Sequence, residues 1–537
     1  MIKPISFYGN SELNVLYFSD VHAKTTNIQK FKTAADQFDK QNKGKTNLKL
    51  ACGDLNTATS LKTNMLVLKL MELIGLDASS VGNHELKAGT HWVDALNKIK
   101  PSFPFLSSNL KHLEPTEVED KVAKSTIIKK NGEKVGLIGV SPVDYGELML
   151  FDSTNNATRT LEFGETLKAV KEEVKKLEKQ GINKIFLLSH TGKESTEGLQ
   201  YYKKLAKLGG IDVIIGGHDH KEFDAWFTSD RGEPVKIVSV GKSPDKDIVG
   251  EDLDSFGILK ATFDDYGILI PEKCKNKVEI TSKYKTSQEV LDLEEEYLQT
   301  GKVISATKHD IQCKDRMIQE NPLADLALDS MLWLINRETK GEPAEIALVN
   351  PGAARGSIKK GNITNGDIIQ AFPYTFSTFI KAPLTKGQIV RALEVGAKSV
   401  YLPKISPGVM QVSGLKYTIT PDKKIKDVCI LNPDGSVKMN IDDAPDYVQF
   451  NVVYDKFLMD GVAGLYSLKK DPNDPEVEYF PYSLQDSLTE YLKENFNDKS
   501  VEIKTGRIKI EEAKAKDEMA ATLDAMLFPL KQPILEN

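Results

Sequence analysis

The first half of the chain repeats one pattern that narrows its fold sharply. Short apolar runs, of the length of buried strands, end on small clusters of aspartate, asparagine and histidine. Residues 13–18 (LNVLYF) run into Asp20-Val21-His22, and residues 47–51 (NLKLA) run into Gly53-Asp54. Further runs lie at 134–140, 184–189, 213–215 and 235–240; two of them lead to Ser189-His190 and Gly217-His218-Asp219-His220. Residues 64–74 and 166–180 carry helical periodicity, the latter with a Lys- and Glu-rich exposed face. Alternating strands and helices predict an α/β layered fold, and such folds place their sites just past strand ends.

At 537 residues the chain is too long for one core, so two domains are expected. Residues 287–300 (SQEVLDLEEEYLQT) form an acidic helical segment followed by Gly301. It reads as a linker helix, with a surface helix of the first domain as the alternative. A second mixed α/β unit is expected after it, with strands at 345–349, 412–419 and 447–454 and helices at 322–336 and 386–398. The chain thus divides into a domain over 1–285, a linker helix over 286–302, a second domain over 303–510 and a tail over 511–537. The tail is rich in Ala, Glu and Lys, which predicts a helical start.

Charge and cysteine usage exclude several classes. The net charge is −6, with both signs interspersed, which argues against a nucleic-acid duplex as partner. Cys52, Cys274, Cys313 and Cys429 lie far apart without a CxxC pair, so neither a zinc ribbon nor a disulfide scaffold is expected; one disulfide stays open. No run of 18 apolar residues predicts a membrane span. The first residues lack the apolar core of a signal peptide, so the expected location is cytoplasmic; a trimmed mature form would instead be periplasmic or secreted. Nothing in the sequence addresses the oligomeric state.

The polar clusters have the chemistry of a metal site. Asp20 and His22 are two apart, as are His218 and His220, and at a strand end each pair can aim at one ion. Asp54 follows a glycine, and its two oxygens can bridge two cations. Mixed imidazole and carboxylate donors suit Zn, Mn, Fe or similar divalent ions. Singly, each piece has a blander reading, as a hydrogen-bonded histidine or a turn aspartate.

In order, the clusters read DxH, GD, GNHE, H and GHxH, with Gly82-Asn83-His84-Glu85 as the third. That order resembles the signature of calcineurin-like metallophosphoesterases. The resemblance implies a β-sandwich flanked by helices over the N-terminal domain. It implies two divalent metal ions, one held by Asp20, His22, Asp54 and His220, the other by Asp54, Asn83, His190 and His218, with a metal-bound hydroxide attacking phosphorus in line. His84 matches the family's catalytic histidine. Glu85 reads as structural rather than as a general base, and His91, His112 and His309 match no motif.

The second half contains Asn350-Pro-Gly-Ala-Ala-Arg355-Gly, Gly361-Asn-Ile-Thr-Asn-Gly-Asp367, Phe372-Pro-Tyr, Gln411-Val-Ser-Gly414-Leu-Lys-Tyr417 and Phe457-Leu458. With these segments it resembles the C-terminal domain of the 5′-nucleotidases, including the 2′,3′-cyclic-nucleotide phosphodiesterase/5′-nucleotidase-like members. The resemblance implies a mixed α/β substrate-binding domain that rotates to deliver substrate, with Arg316, Asn350, Arg355 and Phe457 as substrate contacts. Arginine suits phosphate because its planar fork donates two parallel hydrogen bonds. Three positions depart from the family. Lys87 replaces the Asp that pairs with the catalytic histidine, Val409 stands where a second stacking ring belongs, and Ala463 replaces the ribose-binding Asp. The implied function is two-metal hydrolysis of a small-molecule phosphate ester in nucleotide catabolism, as a nucleotide-binding 5′-nucleotidase or a 2′,3′-cyclic-nucleotide phosphodiesterase. The alternatives are a phosphoesterase for a nucleotide sugar or non-nucleoside ester, and a non-catalytic binding protein.

Overall fold

In the computed structural model the described residues are 11–23, 25–56, 60–88, 90–112, 120–143, 158–160, 163–191, 198–241, 254–373, 378–401, 407–459, 461, 464–471, 474–497 and 499–512. The chain forms two compact units, 1–298 and 299–537.

The first unit is built on two sheets. One has seven strands in the order Lys275–Ile280, Ser255–Phe263, Ser11–Phe18, Thr46–Cys52, Ala78–Ser80, Phe105–Leu106 and Val122–Ala123. The other has six, in the order Phe223–Thr228, Pro234–Ser239, Val213–Gly216, Ile185–Ser189, Glu133–Val140 and Ser125–Lys130. Alternation along Ser11–Phe18 shows why the sheets stack. Leu13, Val15 and Tyr17 point into a core shared with Leu137, Phe186, Leu188 and Val213 of the second sheet. Leu16 and Phe18 point the other way, under helices. Helices Thr25–Gln41, Leu61–Ile74 and Thr90–Ile99 cover the seven-stranded sheet, and Phe163–Lys179 and Gly198–Lys207 cover the six-stranded one. The result is the expected α/β sandwich. Helix Thr25–Gln41 is legible after the fact: Ile28, Phe31, Ala35 and Phe38 are buried at helical spacing.

The acidic segment forms helix Gln288–Leu298, which packs into this unit. Val290 enters the core, and Glu294 accepts a hydrogen bond from Gln29 at 2.7 Å. The two units therefore divide at 298/299.

The second unit has a five-stranded sheet in the order Gln411–Ser413, Ile346–Val349, Gln449–Asp455, Phe379–Thr385 and Glu478–Phe480. Helices Pro322–Glu338 and Leu484–Asn495 pack on one face and Lys386–Tyr401 on the other. Asn321 caps the first of these helices, accepting from Leu323 and Ala324 at 3.0 and 3.1 Å, with Pro322 in the first turn. The expected single strand at 412–419 is two strands in two sheets. Gln411–Ser413 ends the five-stranded sheet, and Leu415–Ile419 belongs to a four-stranded one. Gly414 makes the break, at φ 70° with its α-carbon face against the Glu345 carbonyl. All four cysteines are free thiols, which closes the disulfide question. Among the described residues no helix is long and apolar enough to cross a membrane. The tail beyond residue 512 lies outside the described residues.

Candidate metal centre

Both sheets deliver polar residues to one place. Strands Ser11–Phe18, Thr46–Cys52 and Ala78–Ser80 are parallel neighbours, as are Ile185–Ser189 and Val213–Gly216. Just past their carboxyl ends lie Asp20 and His22, Asp54, His190, and His218 and His220 in loops, and Asn83 and His84 at the start of helix Asn83–Ala88. Parallel pairing continues past the strand ends through Asp20 N–H to Gly53 O at 3.2 Å and His22 N–H to Asp54 O at 2.9 Å. Five of these residues occupy the left-handed region: Asp20 at φ 56°, His22 at 49°, Asp54 at 53°, His218 at 81° and His220 at 51°. Such a backbone costs about 1–3 kcal/mol per non-glycine residue, and its concentration here marks a functional site.

The side chains converge in two groups that meet at Asp54. In the first, His220 Nε2 is 3.4 Å from Asp20 Oδ1 and 3.3 Å from His22 Nε2. In the second, His190 Nε2 is 3.1 Å from Asp54 Oδ2, and His218 Nδ1 is 2.8 Å from Asn83 Oδ1 and 3.3 Å from His190 Nε2. His22 Nε2 lies 4.0 Å from Asp54 Oδ2 and spans the two. Two donors bound to one ion at ~2.1 Å each stand roughly 3–3.4 Å apart, so these separations fit first-row divalent cations. Asp20-His22-His220 and Asp54-His190-His218 each present ligand atoms within 4.8 Å of one another, as do His22, Asp54 and His84. Asp20, His22, Asp54, Asn83 and His190 are buried, whereas His84, His218 and His220 are partly exposed.

The electrostatics favour a cation. Burial opposes the charge on Asp54, but His190, His84 and His22 hold its carboxyl well below the usual carboxylate range. Burial likewise opposes charge on His190, yet Asp54 pushes its imidazole up to about 10. Burial and then His190 lower His218. The His190 ring is oriented by the Cys52 carbonyl, which bonds Nδ1 and turns Nε2 toward Asp54. No sequence signal marks that partner, because it is main chain. Glu85 is fully buried and accepts from the N–H groups of Asp54, Asn56 and Gly82, so it is structural, as expected. Burial and the charge of Asp54 raise its carboxyl to about 7.

In the second unit two of the substrate-contact candidates, Asn350 and Arg355, flank one turn. Asn350 ends strand Ile346–Val349, and the Arg355 N–H donates to Ala371 O at 2.8 Å. A β-carbon on Gly352 would lie 2.8 Å from Asn350 Nδ2 and 3.8 Å from Arg355 Nη2, so these two side chains are neighbours. Arg316 precedes Met317, whose carbonyl accepts from Val409 N–H at 2.9 Å, and Gly408 packs on both Pro351 and Met317. Phe457 is 41% exposed in helix Lys456–Met459. Val409 is fully buried in the core of this unit, so it presents no face for a ring to replace. Ala463 lies outside the described residues, as does the side chain of Lys87.

Comparison with known proteins agrees with this geometry. Residues 13–222 match the calcineurin-like phosphoesterase family, and residues 301–470 match the 5′-nucleotidase C-terminal domain. The trifunctional nucleotide phosphoesterase protein YfkN of Bacillus subtilis (strain 168) is 26% identical over 93% of this chain, which spans only 35% of that protein's length. An apyrase of Anopheles gambiae is 28% identical over 74% of this chain and 70% of its own. In fold, the chain resembles the 5′-nucleotidase precursor of Thermus thermophilus, at TM-score 0.60 and 23% identity, covering 94% of this chain and 100% of that one.

Proposed function

We propose, given that the chain belongs to the 5′-nucleotidase family, that it is a two-metal hydrolase of phosphate esters acting on nucleotides. The observation that carries this reading is the pair of donor groups meeting at Asp54. Two divalent cations held by Asp20, His22, Asp54 and His220 and by Asp54, Asn83, His190 and His218 would neutralise phosphoryl charge and activate a water for in-line attack. His84 stands at the partly exposed side, with Nε2 3.9 Å from Asp54 Oδ2 and its ring edge-on to His22 at 4.6 Å between centroids. From there Nε2 would stabilise the transition state or deliver a proton to the leaving oxygen. In the second unit Arg355, beside Asn350, is suited to phosphate by its planar donor fork.

Nucleotides are favoured by the relatives, a nucleotide phosphoesterase and an apyrase by name. A non-nucleoside ester is the second reading, favoured by Val409, a buried aliphatic residue where the family resemblance expects a second stacking ring. The test is phosphate release from nucleoside monophosphates, cyclic nucleotides, nucleotide sugars and sugar phosphates with added manganese or zinc. Preference for nucleotides supports the first reading, and turnover of sugar phosphates alone replaces it with the second. Asp54→Ala should abolish turnover and lose both ions; full activity with normal metal content would defeat the two-metal reading. Arg355→Ala should raise KM with metal content unchanged, and unaltered kinetics would remove Arg355 from the site.

A further inference from the structure

We propose that Glu85 is a positioning residue for the metal pair, a single buried carboxylate that sets Asp54 and Asn83 at their working separation. The inference rests on the two-metal reading above. Glu85 Oε2 accepts from Asp54 N at 2.9 Å and from Gly82 N at 2.8 Å, while Oε1 accepts from Asn56 N at 2.9 Å. These amides belong to two different loops, one after strand Thr46–Cys52 and one after Ala78–Ser80. Each leads to a residue assigned to the second cation: the first loop carries Asp54, and the second runs into helix Asn83–Ala88, which opens with Asn83.

The tie is reciprocal. Glu85 holds the backbone of Asp54, and Asp54 Oδ1 in turn accepts from the backbone N–H of His84 at 2.8 Å. Asp54 sits at φ 53°, a conformation that needs outside support, and the bond to its own amide supplies it. Three main-chain N–H groups thus converge on the two oxygens of one side chain. Glu85 belongs to none of the convergent donor groups among the described residues, so it acts through Asp54 and Asn83 rather than on a ligand.

The chemistry of substitution separates this role from simple packing. Glutamine keeps the length and one acceptor, which can hold the Asp54 and Gly82 amides together. Aspartate keeps the charge but is too short to reach both loops, and leucine keeps the bulk with no acceptor. The experiment is manganese titration of the full chain by calorimetry, with electron paramagnetic resonance reporting whether two Mn²⁺ ions sit as an interacting pair. Thermal melting checks folding. Glu85→Gln should retain the paired spectrum, with affinity within about 10-fold of wild type. Glu85→Asp and Glu85→Leu should bind the second ion about 10–100-fold more weakly and lose the paired spectrum. If either binds the pair as wild type does, the proposal fails while the two-metal reading stands. If neither melts cooperatively, Glu85 is a folding determinant and the proposal is overturned. A wild-type chain that binds no manganese pair would instead remove the two-metal reading itself.

Discussion

Replacing Gly82 by alanine would insert a methyl group directly against the carboxylate shared by the two donor groups. Its β-carbon would lie 2.1 Å from Asp54 Oδ1, 2.5 Å from Asp54 N and 2.9 Å from Asp54 Cγ. Rotating the side chain relieves the first contact but not the second, which is main chain. Nonbonded contacts settle at about 3.5–4 Å, so the two loops must separate by roughly 1 Å. That movement pulls on the Asp54–Glu85 and Gly82–Glu85 bonds and on the bond from His84 N to Asp54 Oδ1. Overpacking of this kind costs about 1–3 kcal/mol of stability. A displacement of ~1 Å at the reacting groups costs about 100-fold in rate. Gly82→Ala should therefore melt lower, bind manganese more weakly and lose about two orders of magnitude in kcat. Gly164→Ala is the control: it lies in helix Phe163–Lys179 with nothing within 4 Å of the added carbon. It should keep full activity. If Gly82→Ala retained wild-type kcat and manganese affinity, close packing of Gly82 on Asp54 would not be what places the carboxylate.

Asp325 is fully buried, and burial, opposed by Arg507 and reinforced by Glu320, pushes its carboxyl up to about 9. Its folded pKa thus lies above the unfolded value of about 3.9, so its favourable contribution is complete below that pH and is lost as pH rises toward 9. Urea unfolding from pH 5 to 8.5 should show wild-type stability falling more steeply than that of Asp325→Asn, by on the order of 1 kcal/mol per pH unit; parallel curves would refute the assignment. Gly414→Ala would set a β-carbon 2.0 Å from the Glu345 carbonyl in a left-handed residue, and should lower the melting point of the second unit without changing manganese binding. Manganese at 100 times its dissociation constant should stabilise the first unit by about 2.7 kcal/mol, reversed by chelator, and a metal-independent melt would count against a built site.

Much of the site could be read in advance because its residues are local to strand ends. The runs at 13–18, 47–51, 184–189 and 213–215 are apolar for one reason, burial on both faces of stacked sheets, and that burial shows in a sequence. The clusters after them also hold by local order: Asp20 and His22, or His218 and His220, are close along the chain before any folding. The strand at 412–419 misled because Gly414 does not alter the hydrophobic pattern; only the approach of the Glu345 carbonyl turns it into a switch between sheets.

The sequence by itself therefore determined the donor types, their order and the layered class of the fold, since these follow from side-chain chemistry and hydrophobic period. Only the tertiary structure brings those donors within reach of one another. His190 and Asp54 are 136 positions apart in sequence and 3.1 Å apart in space, because two separate sheets end at the same edge. It also decided how that edge is held: by the Cys52 carbonyl on His190, by three amides on Glu85, and by left-handed backbone at the candidate donors. Those are main-chain features, and main chain carries no residue code.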